Sequence, residues 1–311
     1  MEKLKSFLAI LIVILFLPYV ITILFNGKTE NESKQNASEV QIIQIQKENT
    51  TEQIDINEYI IGLLASQMPV SYEPEALRAQ SVIIRTNLMK ELGSNDLDNY
   101  VFEHNYLSYL EMEELWGYTL FSEYYNKLKA AVLDTEGEVL LHEGGLIDAS
   151  YHSVSAGSTR AGEEVFGAAG YSYLQSVVCE YDIEAEDYLQ LSIFNEEELL
   201  DVCRELNPEI DIQEGFLEAL SIDETDAAGY VKRMSFNGKS ISGEEFRQKL
   251  GLNSSCMSIQ EYNGKIRITT KGLGHGLGMS QFGANKMAQN GKNYKEILNY
   301  FYSNISIEVI Q

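Results

Sequence analysis

Basic residues are scarce in this chain. Its 311 residues hold 23 Lys and Arg against 47 Asp and Glu, a net charge of −24 at pH 7. Phosphate recognition begins with cationic surface, so a nucleic-acid binder of the usual kind is excluded. Cysteine is scarcer: Cys179, Cys203 and Cys256 form no CxxC pair and leave at least one thiol unpaired. Neither a disulfide scaffold nor a tetrahedral zinc site is indicated, and one disulfide is the most the chain can form. The four histidines, His104, His142, His152 and His275, show no pairing of ligand spacing, so neither a metal nor another cofactor is expected. What is present is 44% apolar residues, ample for a core, in a length that suits two domains or one large one.

Phe7 to Phe25 is a run of nineteen residues without a charge. At about 1.5 Å per residue it approaches the roughly 30 Å hydrocarbon thickness of a bilayer. The sequence therefore predicts a membrane anchor over 7–25, with Pro18 as a tolerated kink. Lys3 and Lys5 precede it, which places 1–6 in the cytoplasm and the bulk of the chain outside. A cleaved signal peptide is the competing reading, but no small-x-small site follows closely behind the run. Residues 26–53 read as a polar tether, with 42–45 as a candidate first strand, and 54–311 as one globular region with room for two subdomains.

That region reads as α+β, helices mixed with antiparallel strands. A first helix over 58–66 must end before Pro69, which puts Gln67 at its exit. Pro74 opens a second helix and Gly93 caps it, with Leu77, Ile84 and Leu88 as its buried stripe. Arg78 and Arg85 lie two turns apart on one face, which either clamps an anionic or hydroxyl-rich ligand or solvates the helix; Glu75, three residues before Arg78, supports the second reading. Further helices are expected over 118–129, 279–289 and 294–302, and strands over 137–142, 146–153, 230–236 and 265–270. Between Glu180 and Asp226 lie seventeen acids and a single basic residue, Arg204. This predicts a solvated helical insertion over 180–226, with Asn195 before EEELLDVCREL and Pro208 after it. Its acids lack the spacing of a calcium loop.

The sharpest local motif is KGLGHGLGMSQFGAN, 271–285, with four glycines at alternate positions between a strand and a helix. A dinucleotide fingerprint fails because its third glycine would fall on Leu277, and a P-loop fails because Ala284 follows Gly283. A nucleophile elbow at Ser280 fails because Phe282 occupies the closing glycine position. The glycines allow close backbone approach, presenting His275, Ser280 and Gln281 at a helix start to a ligand, or they serve a purely structural turn. A second motif, YHSVSAGST over 151–159, is a strand end turning into a hydroxyl-rich loop. His152 and Ser155 are its candidate ligand contacts; the other reading of His152 is a polar group satisfied inside the fold.

The stretches YIIGLLASQMPVSYEPEALRAQSVIIRTN, YHSVSAGSTRAGEEVFG, YLQSVVCEYD, GYVKRMSFNGKSISGEEFRQKLGL and GLGHGLGMSQFGANKMAQNGKNYKEILNYFYSNISI together resemble the stage II sporulation protein D family, collinearly from about Ile54 to Ile307. The resemblance implies a membrane-anchored peptidoglycan lytic transglycosylase that faces the wall between the two membranes of an engulfed spore. It would sit in the engulfing mother-cell membrane and cleave glycan strands stripped of stem peptides by a partner amidase, stage II sporulation protein P. Such cleavage needs one group to protonate the leaving oxygen and then take the C6 hydroxyl proton as the 1,6-anhydro ring closes. In the family that group is the glutamate of an E-M-P segment; here the segment is Q-M-P and the position is Gln67. An amide does neither task, so the expected loss is about 10²- to 10⁴-fold in rate. Glu75, or Glu73, is the candidate substitute. Arg78, Arg85, His275, Ser280 and Gln281 match family positions, while Ala156 stands where the family has glycine. Some members bind zinc ahead of a Q-x-Y segment; only His104, beside Asn105, remains there, so no zinc is expected.

Two readings follow: a transglycosylase with weak or relocated activity, or a non-catalytic glycan-binding protein that supports the amidase. A third is an old fold reused elsewhere on the cell surface. Wall polymers are anionic, so a charge of −24 supplies no long-range attraction to them and repels them within a Debye length of about 8 Å. Capture must rest on hydrogen bonds and sugar-face contacts, for which 19 tyrosines are suited.

Overall fold

The computed structural model describes residues 41–47, 50–95, 97, 100–211 and 215–310. The expected anchor over 7–25 and most of the tether lie outside the described residues; among those described, no helix is long and apolar enough to cross a membrane. Strands β1 (Ile42–Lys47) and β2 (Thr50–Asp55) lead into helix α1 (Ile56–Gln67), where the Asp55 carboxylate accepts from the Asn57 and Glu58 amides. Such a cap satisfies donors that the first turn leaves free. Met68 is extended ahead of Pro69, so the chain turns before helix α2 (Pro74–Leu92), which Gly93 closes at φ 57°. After β3 (Val101–Phe102) comes α3 (Tyr109–Leu133), longer than its sequence pattern indicates because a Ser108–Glu111 capping box starts it early and Gly117, at φ 71°, kinks it without ending it. Strands β4 (Glu138–His142), β5 (Gly145–Leu146) and β6 (Tyr151–His152) and the short helix α4 (Gly162–Phe166) follow.

The next stretch builds a second lobe: β7 (Leu189–Phe194), α5 (Glu196–Leu206), α6 (Phe216–Ala219), β8 (Leu220–Thr225), β9 (Val231–Phe236), β10 (Lys239–Ser242), α7 (Gly243–Lys249), β11 (Met257–Tyr262) and β12 (Lys265–Lys271). The glycine motif returns the chain to the first lobe through β13 (Met279–Ser280), α8 (Gln281–Gln289), α9 (Tyr294–Phe301) and β14 (Ser306–Val309). β14 pairs antiparallel with β4, Ile307 opposite Leu140, and so locks the C-terminal segment onto the first lobe.

Each lobe has its own core. The first gathers around α2, with Leu77, Val82, Ile83 and Leu88 against Leu128 and Val132 of α3 and Ile297 and Phe301 of α9. The second packs Leu199, Phe216, Phe236, Phe246 and Ile268 between the sheets β10-β9-β8 and β11-β12-β7. Residues 180–226 are thus more than a solvated helical insertion. Helix α5 lies where Asn195 and Pro208 mark it, but β7 pairs with β12 and β8 with β9. The period-two pattern of LQLSIF carries a strand that the surrounding acids hide.

Candidate functional site

Parallel pairing of β13 with β6 sets Met279 opposite Tyr151 and Ser280 opposite His152, which draws the two motifs together. The approach is too close for side chains: a Cβ at Gly272 would lie 2.7 Å from the Val154 carbonyl, and one at Gly278 would collide with the Ser150 carbonyl. Both glycines have positive φ, 78° and 67°, a region that side-chain-bearing residues avoid.

Leu277 then orders two histidines with one backbone unit. Its carbonyl faces His152 Nδ1 at 3.0 Å, and its N–H donates to His275 Nδ1 at 3.1 Å. A carbonyl only accepts and an N–H only donates, so the partners assign the tautomers: His152 carries hydrogen on Nδ1 and a lone pair on Nε2, and neutral His275 the reverse. Burial pushes His152 down to about 3 and lowers His275 too, so both rings are neutral in ordinary conditions. His152 Nε2 is buried without a partner.

Gln67 is half-buried at the exit of α1. Its Oε1 accepts from Gln80 Nε2 at 3.4 Å, and Gln281 Nε2 donates both to the Gln67 carbonyl (2.9 Å) and to Gln80 Oε1 (3.3 Å). Beside it opens a cleft of ≈ 290 Å³ walled by Tyr151, His152, Arg247, His275 and Gln281. His275 also borders two further hollows, ≈ 460 Å³ with Arg160, Phe166, Lys232 and Glu244, and ≈ 450 Å³ with Asn87, Asp148 and Tyr151. The three hollows share His275 and are together termed the groove; its parts walled by Arg247 or by Lys232 and Glu244 lie between the lobes. Arg160 fixes its floor: the guanidinium pairs with buried Asp226 at 2.5 Å, lies 4.9 Å over the Tyr230 ring and donates to the His275 carbonyl at 3.2 Å.

The other expected residues stand elsewhere. Arg85 is buried, donating to the carbonyls of Val132 (3.1 Å), Thr135 (2.6 Å) and Glu138 (3.2 Å) at the end of α3. Desolvation lowers it to about 10. Arg78 pairs with Glu75 and with Asp134, and the second Glu75 oxygen accepts from the Tyr294 amide at 2.8 Å. None of the three lines the groove, because α3 and α9 pack over the face of α2 that carries them. Ser280 caps α8 through Gly283 N–H and donates to Asp182 at 2.8 Å; the Ser155 amide meets the same oxygen at 2.6 Å. Both serines brace the wall from behind. Asp182, whose carboxyl burial pushes up, and the Leu277 backbone carry no sequence signal: the first is one acid among many and the second an apolar residue acting through its peptide. His104 meets the Tyr59 hydroxyl at 3.1 Å and Glu91 at 3.0 Å.

The profile of the stage II sporulation protein family matches residues 44–142. Stage II sporulation protein D of Bacillus subtilis is 33% identical over 268 residues, covering 83% of this chain and 76% of that protein. Its counterpart in Bacillus amyloliquefaciens is 32% identical over 269 residues with the same coverage. The amidase enhancer of Bacillus subtilis is 25% identical over 289 residues, 78% of this chain but 39% of that protein. With more than three quarters of each sporulation protein matched, the chain belongs to the stage II sporulation protein D family.

Proposed function

We propose that this chain is a sporulation cell-wall protein that holds a peptide-free glycan strand in the groove beside Gln67, without cleaving it efficiently, and so supports a cell-wall amidase. A span over 7–25 would anchor it, with the groove on the outer side. One observation carries the reading. The position that must shuttle a proton is an amide tied to Gln80 and Gln281, and the cleft at Gln67 has no acid in its walls. Glu244, further along the groove, is gripped by Arg247 at 2.9 and 2.7 Å and lies below the usual carboxylate range. It stays ionised and cannot donate. Glu75 is occupied by Arg78 and the start of α9. Recognition without charge attraction falls to the polar and aromatic lining of the cleft, Tyr151, Ser153, His275 and Gln281. The amidase enhancer among the relatives fits a supporting role.

The test mixes the purified protein with peptide-free glycan. Saturable binding without anhydro-sugar products is expected, and Gln67→Glu should raise product formation about 10²-fold or more. Products from the wild type that persist in Gln67→Ala and vanish in Glu244→Gln would replace this reading with a relocated acid.

A further inference from the structure

Beyond the groove, β7 is left at the margin of its sheet, in the order β11-β12-β7. Natural edge strands are guarded by charges, proline, bulges or brevity. β7 has none of these: its six residues, LQLSIF, carry no charge and pair with β12 in unbroken register from Leu189↔Lys271 to Phe194↔Ile266. The alternate side chains Leu189, Leu191 and Ile193 point outward, 52%, 62% and 52% exposed. Acids stand at both ends, Glu186 and Asp187 before the strand and Glu196, Glu197 and Glu198 after it, all exposed.

That arrangement discriminates among occupants. An antiparallel pairing of β7 with a second copy, centred on Leu191 or on Ser192, brings the end carrying Glu186 and Asp187 against the partner's end carrying Glu196, Glu197 and Glu198, twice over by symmetry. Like charges directly opposite are destabilising, so self-pairing is opposed at both ends. The same acids favour a strand whose ends are basic. We infer that β7 is a docking edge for an extended segment of a different protein, apolar at alternate positions and carrying Lys or Arg at both ends. Main-chain bonds along the edge supply affinity; Leu189, Leu191 and Ile193 set the register.

The probe is a fluorescein-labelled peptide of alternating valine and threonine with a lysine pair at each end, and its twin with glutamate pairs, titrated into the purified full chain. The lysine-ended peptide should bind saturably and the twin about tenfold more weakly or less. Leu191→Lys should abolish binding. Reversing Glu186 and Asp187 to lysine should narrow or invert the preference between the twins, a readout that mere loss of folding does not produce. Equal binding of the twins, indifference to Leu191→Lys, self-association that depends on β7, or binding that appears only after residues 1–40 are removed would each overturn the inference. Glycan binding is not the readout, so this result stands apart from the fate of the groove.

Discussion

The two lobes put charge to different uses. In the first, polar groups are built into the interior: Arg85 closes the end of α3 from a buried position, and Asp182 joins the Ser155 loop to the start of α8. In the second, the interior is apolar and aromatic, with Phe216 and Phe236 centroids 5.0 Å apart. Its ion pairs, such as Lys239–Glu209 and Lys249–Glu205, remain on the surface, apart from buried Asp226, which pairs with Arg160 of the first lobe. Buried hydrogen bonds have narrow geometric tolerance, whereas apolar packing accepts rearrangement at modest cost. The groove wall that needs exact placement, His152 with Tyr151, rests on the first lobe; the acid-rich, edge-exposing surface belongs to the second.

Four substitutions or conditions probe that contrast. The largest effect is expected from Phe246→Ala, about 4 kcal/mol by cavity formation in the smaller core. Amide exchange should report it in β9 and β12, with a lesser shift in fluorescence of Trp116, which belongs to α3; an equal shift would make the lobes one cooperative unit. Arg85→Met should cost about 3 kcal/mol in urea unfolding, because it removes three buried hydrogen bonds at the end of α3. A loss under about 1 kcal/mol would show the first lobe to be as tolerant as the second. Acidification comes next. His152 is held near 3 in the folded chain against about 6.5 when unfolded, so the unfolded state binds more protons as pH falls below that value. Stability should drop by about 2 kcal/mol between pH 7.5 and 5 from this ring alone, and His152→Phe should flatten the slope. Smallest is Arg78→Ala: its partners Glu75 and Asp134 are partly solvated, so a loss under about 1 kcal/mol is expected.

Much of the first lobe was legible because local chemistry fixes its boundaries. Pro69 marks the end of α1, Pro74 and Gly93 delimit α2, and Asn195 and Pro208 bracket α5 in the second lobe, while the start of α1 falls at Ile56 behind the Asp55 cap rather than at 58. The α+β class follows from the same reading, whereas the pairing of the two motifs through β6 and β13 had no signal in the sequence. The spacing of Arg78 and Arg85 was read correctly as one helix face, but spacing does not say what covers a face, and α3 covers it. β7 and β8 were missed because acid density outweighs a six-residue alternation. The glycines of 272–278 serve the structural turn, because a Cβ at Gly272 or Gly278 would meet the Val154 or Ser150 carbonyl.

The donor and acceptor order of the groove wall is written in main chain rather than side chain, since the N–H and the C=O of one residue, Leu277, answer the two imidazoles. Swapping neighbouring side chains leaves the order intact. Only proline at 277, which has no N–H to give, would erase one half of it while sparing the other, setting His275 free to change its tautomer as His152 keeps its own.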